Sequence, residues 1–406
     1  MVERSLKVKP PEWSEPQSAQ PLQIDIETIT PLFGGGYKTR EYDELIPVRA
    51  PTVRGHLRFW WRATAGAQYS SVDELYQAEC DLWGGASTTN QARVGKVAVQ
   101  VKILSKGTRK PYHEIAPRAK PKEGPLHGFF LFPLQAIKSE NLPEAKGLEG
   151  VWFRLCLQYD SRLTDQQRKE VEAAVKAWLV FGGIGARTRR GCGALKARDA
   201  AWQLPNDPNQ REEFIKRLLF HQGDNHAYDY PTLVGATVLI GQPQADPMTV
   251  WKELGRFWAR FRKGHFPSDY KPMVGSKWND YRQVLCKLSS NLGRALPLAK
   301  PYLGLPIVYQ EFRDACFHGS IEPAQSGRMA SPVILKPVAL DNGGFAPLIL
   351  VMRTKKPEQI KINGAGYSLR LPTSDPVLQA LKASDVLDAV IKAAHQHFKG
   401  VQEIQP

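Results

Sequence analysis

Residues 182–193 read Gly-Gly-Ile-Gly-Ala-Arg-Thr-Arg-Arg-Gly-Cys-Gly, five glycines and three arginines in twelve positions. No other stretch limits the local fold so strongly. Glycine lacks a Cβ, so its backbone can enter left-handed conformations and approach a neighbour closely. Arginine adds a planar fork of donors that matches phosphate. Together they predict a loop whose main-chain N–H and guanidinium groups face a polyanion. The candidate contacts are Gly182, Gly183, Gly185, Arg187, Thr188, Arg189 and Arg190. A flexible basic surface loop is the plainer alternative. A mononucleotide loop is disfavoured on two counts. The Gly-Lys-Ser/Thr ending of a Walker A motif is missing, and the loop follows a predicted helix, whereas a dinucleotide fingerprint follows a strand.

The charge balance points the same way. Lys and Arg number 55 against 40 Asp and Glu, a formal net charge of +15 over 406 residues. The composition is that of a folded chain, 42% hydrophobic with ten tryptophans. Such an excess favours nucleic acid or a membrane surface, with a merely basic protein as the alternative. No run reaches the roughly 18 apolar residues of a membrane-spanning helix, so no membrane partner is expected. Residues 1–21 lack an apolar h-region and read as a flexible lead-in. Five scattered cysteines without a C-x-x-C pair support neither a zinc knuckle nor a disulfide framework. A cytoplasmic location follows from that cysteine usage. No cofactor is expected. His395 and His397 would splay apart on a helix and read as solvated, so no metal site is predicted.

Residues 22–29 alternate apolar and polar side chains and predict a half-buried strand ending at Pro31. Gly34, Gly35 and Gly36 follow, as a plain turn or a second phosphate-facing loop. Thr52 reads as the cap of a helix starting near Val53. A second helix covers 72–83 and stops at Gly84-Gly85. Strands are predicted at 94–104, 129–134 and 151–158. Residues 105–125 are irregular and basic, a nucleic-acid arm or a surface loop. Thr164 caps a helix running to about Phe181, and residues 194–197 open a last strand. The order β–α–α–β–β–β–α–β is a ferredoxin-like arrangement with one extra helix and one extra strand. Pro205 and Pro208 mark a boundary between a first domain, 22–204, and a second, 210–406. The second half is mixed α+β. It has a strand at 232–240, helices at 249–262 and 278–292, and strands at 331–340 and 347–353. Asp341-Asn342-Gly343-Gly344 signals a hairpin between the last two, and a helix at 374–397 closes the chain. Aromatic residues interleave with cations over 251–281, as stacking partners for bases or as a buried helix face.

Three arginines, Arg54, Arg58 and Arg62, recur at i, i+4 and i+8 on the first helix, beside a stripe of Val53, Leu57, Trp60 and Trp61. Like charges at that spacing cost a few tenths of a kcal/mol per pair, roughly, so an anion or acidic surface would ease the stripe. The tryptophans read as core. The arginines, with Arg49 just before the helix, read as phosphate ligands, against a solvated face. In a ferredoxin-like sheet the first and last strands are neighbours, so both glycine loops would meet at one end. The helix N-terminus adds a positive dipole there. Asp43 lies between the glycines and the arginine helix and is the one acid flagged, although turns favour Asp anyway.

Three segments carry a family resemblance. They are Thr28-Ile29-Thr30-Pro31-Leu32-Phe33-Gly34-Gly35-Gly36, the run from Ile46 through Arg54-Gly55-His56-Leu57-Arg58-Phe59-Trp60-Trp61-Arg62, and Gly182 to Gly191. Together they resemble the RAMP proteins of type III CRISPR systems, and most of all the first-subunit family of Cmr (type III-B) effector complexes. Asp81-Leu82-Trp83-Gly84 fits the same pattern. In the second half only Arg328 to Pro337 resembles it clearly. The resemblance implies two ferredoxin-like (RAMP/RRM-like) domains and assembly beside other RAMP subunits in a ribonucleoprotein of antiviral defence. It also implies contact with guide RNA, target RNA or both, at the end remote from the large subunit. It implies a binding rather than catalytic role, since target cleavage belongs to a different subunit. That subunit uses an Asp in the loop that holds Asp43 here. An endoribonuclease using Asp43 and a purely structural adaptor are the alternative readings.

Overall fold

The computed structural model describes residues 19–38, 40–85, 94–115, 128–137, 141–219, 230–265, 276–288, 295–309, 315–325 and 327–406. Most of the expected lead-in and residues 116–125 of the basic segment lie outside them. The first domain is built on a four-stranded antiparallel sheet of β1 (Ala19–Thr28), β2 (Val97–Ser105), β3 (Trp152–Tyr159) and β4 (Leu195–Ala197). Its spatial order is β2-β3-β1-β4. Helices α1 (Ala50–Ala63) and α2 (Val72–Trp83) lead from β1 to β2, and α3 (Asp165–Phe181) leads from β3 to β4. Alternation decides which face is covered. Ile24, Ile26, Phe153, Leu155 and Leu157 are buried in the core. Asp25 and Arg154 pair on the other face, Nε to Oδ1 at 2.6 Å and Nη2 to Oδ2 at 2.9 Å. Such a sheet packs one side and wets the other.

The helix ends follow local chemistry. The Ser71 hydroxyl accepts from the Glu74 N–H and opens α2. Thr164 and Gln167 form a reciprocal capping box that opens α3. Helix α1 starts earlier than expected. Arg49 occupies the cap without a side-chain bond, and Pro51 sits in the first turn. Proline fits there because its fixed φ is helical and its missing N–H has no partner to lose. Thr52 is therefore inside the helix.

The second domain repeats the strand order. β5 (Thr237–Ile240), β6 (Val333–Ala339), β7 (Phe345–Val351) and β8 (Gln402–Ile404) form an antiparallel sheet in the order β6-β7-β5-β8. The residues at the expected boundary are structured. α4 (Pro208–Leu219) starts at Pro208 and buries Ile215, Leu218 and Leu219. α5 (Pro247–Lys263) lies between β5 and β6, and α6 (Val386–His397) between β7 and β8. A five-stranded satellite sheet, made from residues 295–323 and 359–369, is inserted around this frame. It has its own apolar cluster, including Leu298, Ile321 and Ile360.

Several expectations are corrected. Residues 129–134 are not a strand but a short helix, Gly128–Leu131, and a 3-10 turn, Phe132–Leu134. A short apolar run fits either state. Part of the basic segment is a strand, Thr108–Pro111, paired with Lys146–Glu149. The helix expected at 278–292 is a π-turn, Asp280–Val284, followed by a 3-10 turn, Leu285–Lys287. The closing helix is two, Pro376–Leu381 and α6. Lys382 is left-handed between them, and the Asp385 carboxylate caps the second. A disulfide joins Cys286 to Cys316, which their 30-residue separation did not suggest. His397 is not solvated. It packs on Phe257 and Phe398, and burial pushes its pKa down to about 4. No helix among the described residues is long and apolar enough to cross a membrane.

Every residue of β6 and β7 is buried. On one face Val333, Leu335 and Ile349 pack with α5 and α6. On the other, Ile334, Val338 and Leu348 join the core of the first domain. Lys336 lies on that second face, fully buried. Its Nζ donates to the carbonyls of Leu179 at 2.6 Å and Gly182 at 2.9 Å, at the C-terminus of α3. Those carbonyls have no helical partner, and the helix dipole is negative there. The lysine nitrogen thus closes the helix before the Gly/Arg loop from a strand of the second sheet.

Burial pushes Lys336 from 10.5 down to about 7. The unfolded chain therefore holds more protons than the folded one between pH 7 and 10.5, and folding stability rises across that window. Denaturant titrations of the wild type should gain about 4 kcal/mol more between pH 7 and pH 10.5 than those of Lys336→Met. Lys300, lowered to about 8, acts in the same direction in both proteins and drops out of the difference. Equal pH dependence in the two would refute a buried Lys336 that gives up its proton in the folded protein across that window.

Candidate nucleic-acid interface

Beyond β1 the chain runs alongside the Gly/Arg loop. The Ile29 N–H donates to Ala194 O at 2.8 Å, the Gly193 N–H to Pro31 O at 2.9 Å, and the Ala186 N–H to Phe33 O at 2.6 Å. The Thr30 hydroxyl donates to Gly191 O at 2.6 Å and accepts from the Ala194 N–H at 2.8 Å. The two glycine segments do meet at one end of the sheet. Gly182 and Gly183 are buried, however. Gly185 has φ +88, and a Cβ there would stand 2.5 Å from Phe33 O. At Gly191, φ +76, a Cβ would stand 2.8 Å from Trp251 Nε1 of the second domain. The glycines serve backbone-to-backbone packing in a compact knot.

The three loop arginines turn inward. Arg187, left-handed at φ +59, donates to Phe130 O. Arg189 Nη1 donates to Ser331 O at 2.5 Å, and its guanidinium lies 5.7 Å from the Phe59 ring centre. Arg190 Nη1 donates to Val333 O at 2.7 Å, and its guanidinium stacks 4.5 Å from the Trp258 ring centre. The Trp251 Nε1–H returns a bond to Arg190 O at 2.7 Å. Thr188 is half-buried in the same turn. Arginine suits this task because its donors bond carbonyls while its flat face covers an aromatic ring. Desolvation lowers all three, Arg189 to about 10 and Arg190 further, with Arg187 and Arg262 adding repulsion at Arg190. The loop expected to be an open phosphate cradle braces the two domains.

The arginine stripe of α1 is also accounted for internally. Trp60 and Trp61 are buried as expected. Arg58 Nε and Arg62 Nη1 both reach Glu79 Oε1 at 2.5 Å. Arg54 Nη2 donates to Gly84 O at 3.1 Å. Glu79 is only 4% exposed. The acid that eases the stripe sits on α2, four residues after buried Leu75. A Glu on the apolar stripe of an amphipathic helix is the sequence signal for such a partner.

The exposed cations lie elsewhere. Gly34 and Gly35 have φ +68 and +99 and shape the turn. The exposed Arg49 donates from Nη2 to Gly35 O at 2.8 Å. Asp43 Oδ1 accepts from the Leu45 N–H at 3.0 Å and the Ile46 N–H at 2.9 Å. Those bonds hold its carboxyl below the usual range, with help from the nearby charges of Arg49 and Lys106. Burial raises the pKa of the adjoining Tyr42, opposed by the nearby charge of Arg109. Lys106 and Arg109 are exposed, and neither was singled out from the basic segment as a site residue. Exposed apolar side chains occur in the same segment as Arg49. Tyr37 is 90% exposed, Leu45 75% and Ile46 51%. Arg40, which donates to Pro133 O and Pro143 O, ties this loop to the exposed Phe132. Cations mixed with accessible aromatic and aliphatic groups can hold phosphates and stack bases. Among the described residues no group of three His, Cys, Asp or Glu could hold a metal ion.

Residues 25–196 match the model of the RAMP superfamily. CRISPR system Cmr subunit Cmr1-1 of Pyrococcus furiosus is 27% identical over 193 residues, covering 47% of this chain and 52% of the relative. The match thus spans about half the length of that relative. Cmr subunit Cmr1-2 of the same organism is 27% identical over 185 residues, covering 43% of this chain and 94% of the relative. The crystal structure of Cmr1 from Pyrococcus furiosus in its apo form aligns over 95% of this chain and 98% of its own, with a TM-score of 0.55 and 16% identity. That likeness is one of fold.

Removing the carboxylate of Glu79 would leave Arg58 and Arg62 facing each other without a counter-charge. Urea unfolding of Glu79→Gln should show a loss of about 3 kcal/mol, the scale of a broken buried ion pair. A loss below about 0.5 kcal/mol would mean the pairs contribute no more than surface bridges do.

Proposed function

We propose that this chain, a RAMP-superfamily protein over residues 25–196 and a homologue of Cmr1, is a non-catalytic RNA-binding subunit of a type III-B CRISPR effector complex. Within it the chain contacts guide RNA, target RNA or both, beside other RAMP subunits and at the end remote from the large subunit. The setting is a cytoplasmic ribonucleoprotein of antiviral defence. The shared strand order supports reading both domains as ferredoxin-like: first strand between third and fourth, with the second outside the third.

The observation that carries the RNA assignment is the exposed segment after Gly34 and Gly35, where Arg49 bonds Gly35 O, Arg49 and Lys106 act on Asp43, Arg109 acts on Tyr42, and Tyr37, Leu45 and Ile46 are exposed in the same segment. Its cations have few internal acceptors, unlike those of the Gly/Arg loop and α1. Arg49 is held against Gly35 O by one nitrogen, which fixes the direction of the rest of its fork. Asp43 has no part in cleavage in this reading, because its bonds to Leu45 and Ile46 serve its own turn.

Each phosphate that a cation neutralises steepens the fall of log K with log salt by about 0.7 for a single strand. Arg49→Ala with Lys106→Ala and Arg109→Ala should weaken single-stranded RNA binding and flatten that slope by about 2. Thermal melting should be unchanged, since none of the three bridges the domains. An unaltered slope in the folded triple variant sinks the assignment. The corresponding triple change at Arg187, Arg189 and Arg190 should lower the melting temperature first, because it removes the bonds to Ser331 and Val333.

A further inference from the structure

A second group of cations stands on the far side of the Gly/Arg loop. Arg262 lies one turn after Trp258 on α5, so the two share a helix face. Arg190 stacks on Trp258, which brings its guanidinium beside Arg262, and each cation destabilises the other's charge. Arg262 also senses Asp280 and Tyr309 of the satellite region. Asp280 is fully buried, and both its oxygens are taken by backbone. Oδ1 accepts from the Ala299 N–H at 3.0 Å and Oδ2 from the Lys300 N–H at 2.8 Å. That anchors Lys300 next to the same carboxylate, close enough to repel Arg262.

The supply of acceptors here falls short. Among the described residues neither the Arg262 guanidinium nor the Lys300 ammonium has a hydrogen bond or an ion pair, although Lys300 is only 8% exposed. The Tyr309 hydroxyl is buried and has no hydrogen-bond partner among those residues. Stacking on Tyr281 at 5.4 Å holds its ring in place. Asp280 and Asp375 are the acids that act on Lys300, and the carboxylate of Asp375 is engaged by the N–H groups of Asn279 and Val377. A buried ammonium and a half-buried guanidinium that share the backbone-engaged carboxylate of Asp280, beside a buried hydroxyl without acceptor, would be stabilised by added negative oxygen. A phosphate offers several acceptors at once and matches the planar fork of arginine.

We propose that Arg262, Lys300 and Tyr309 form a second anion site that takes a phosphate group of an RNA strand. It is separate from the Gly34–Gly35 face, with the interdomain loop between them. The assignment of the phosphate to RNA rests on the RNA-binding reading above; the anion site does not.

Two probes separate the claims. The full chain at low salt is titrated with inorganic pyrophosphate by calorimetry, and then with single-stranded RNA carrying either a 5′-phosphate or a 5′-hydroxyl. Pyrophosphate should bind the wild type, and Arg262→Gln and Lys300→Met should each weaken it about tenfold or more, which is about 1.4 kcal/mol. Pyrophosphate should also protect Lys300 from an amine-reactive label in the wild type, a readout that needs no variant to fold. No binding at millimolar pyrophosphate, or labelling of Lys300 unaffected by bound pyrophosphate, overturns the site. Pyrophosphate binding through Arg262 without any RNA binding keeps the anion site and overturns its assignment to RNA. Where RNA binds, a weaker affinity of Arg262→Gln for the 5′-phosphate strand alone identifies a terminal phosphate, and equal weakening for both strands identifies a backbone phosphate. RNA affinity unchanged by Arg262→Gln for both strands removes RNA as the source.

Discussion

The two four-stranded sheets share one apolar core, and the side-chain nitrogen of Lys336 closes a helix end inside it. Lys336 comes from the middle of β6, in a sheet buried on both faces, and reaches the last carbonyls of α3. Those carbonyls would otherwise face an apolar interface with no donor. The same position starts the Gly/Arg loop, because Gly182 is both a ligand of Lys336 and the C-cap of α3. The helix end, the loop conformation and the domain interface are thus set together. A change in any one strains the other two.

That coupling explains why the loop is rich in both glycine and arginine. The chain must leave α3, run beside Pro31 and Phe33, and pass under Trp251 within a dozen residues. The close approaches at Gly185 and Gly191 leave no room for a Cβ. The arginines then complete the bonding of the second domain, since Ser331 and Val333 carbonyls are met by Arg189 and Arg190. Burial together with these internal bonds leaves the loop arginines less open to a polyanion than an exposed arginine. The surface best suited to RNA therefore shifts to the neighbouring turn, where Arg49, Lys106 and Arg109 remain exposed.

Local signals were legible and distant ones were not. Val72–Trp83 and Asp165–Phe181 could be read to the residue or nearly so, because a capping hydroxyl opens each and glycine closes each. The 341–344 turn marked its hairpin for the same reason. Residues 129–134 misled because an apolar run of that length carries no periodicity. At the site, the sequence showed which arginines were unusual but not what they meet. Glu79 neutralises Arg58 and Arg62 from another helix, and Ser331 lies 142 residues from Arg189. Long-range acceptors of this kind leave no trace in spacing. Lys336 was hidden for the opposite reason, since one lysine in an apolar strand looks like an edge or an accident.

The distribution of satisfied and unsatisfied cations separates structure from binding in a chain with a charge of +15. Arg58, Arg62, Arg187, Arg189 and Arg190 have their acceptors inside the protein. Arg49, Lys106 and Arg109 are exposed, while half-buried Arg262 and buried Lys300 face carboxylates already engaged by backbone. Both sets border residues 182–193, one on the side of the first sheet and one on the side of α5. Net charge alone would have assigned all of them to nucleic acid. The bonding of each guanidinium narrows that to two places.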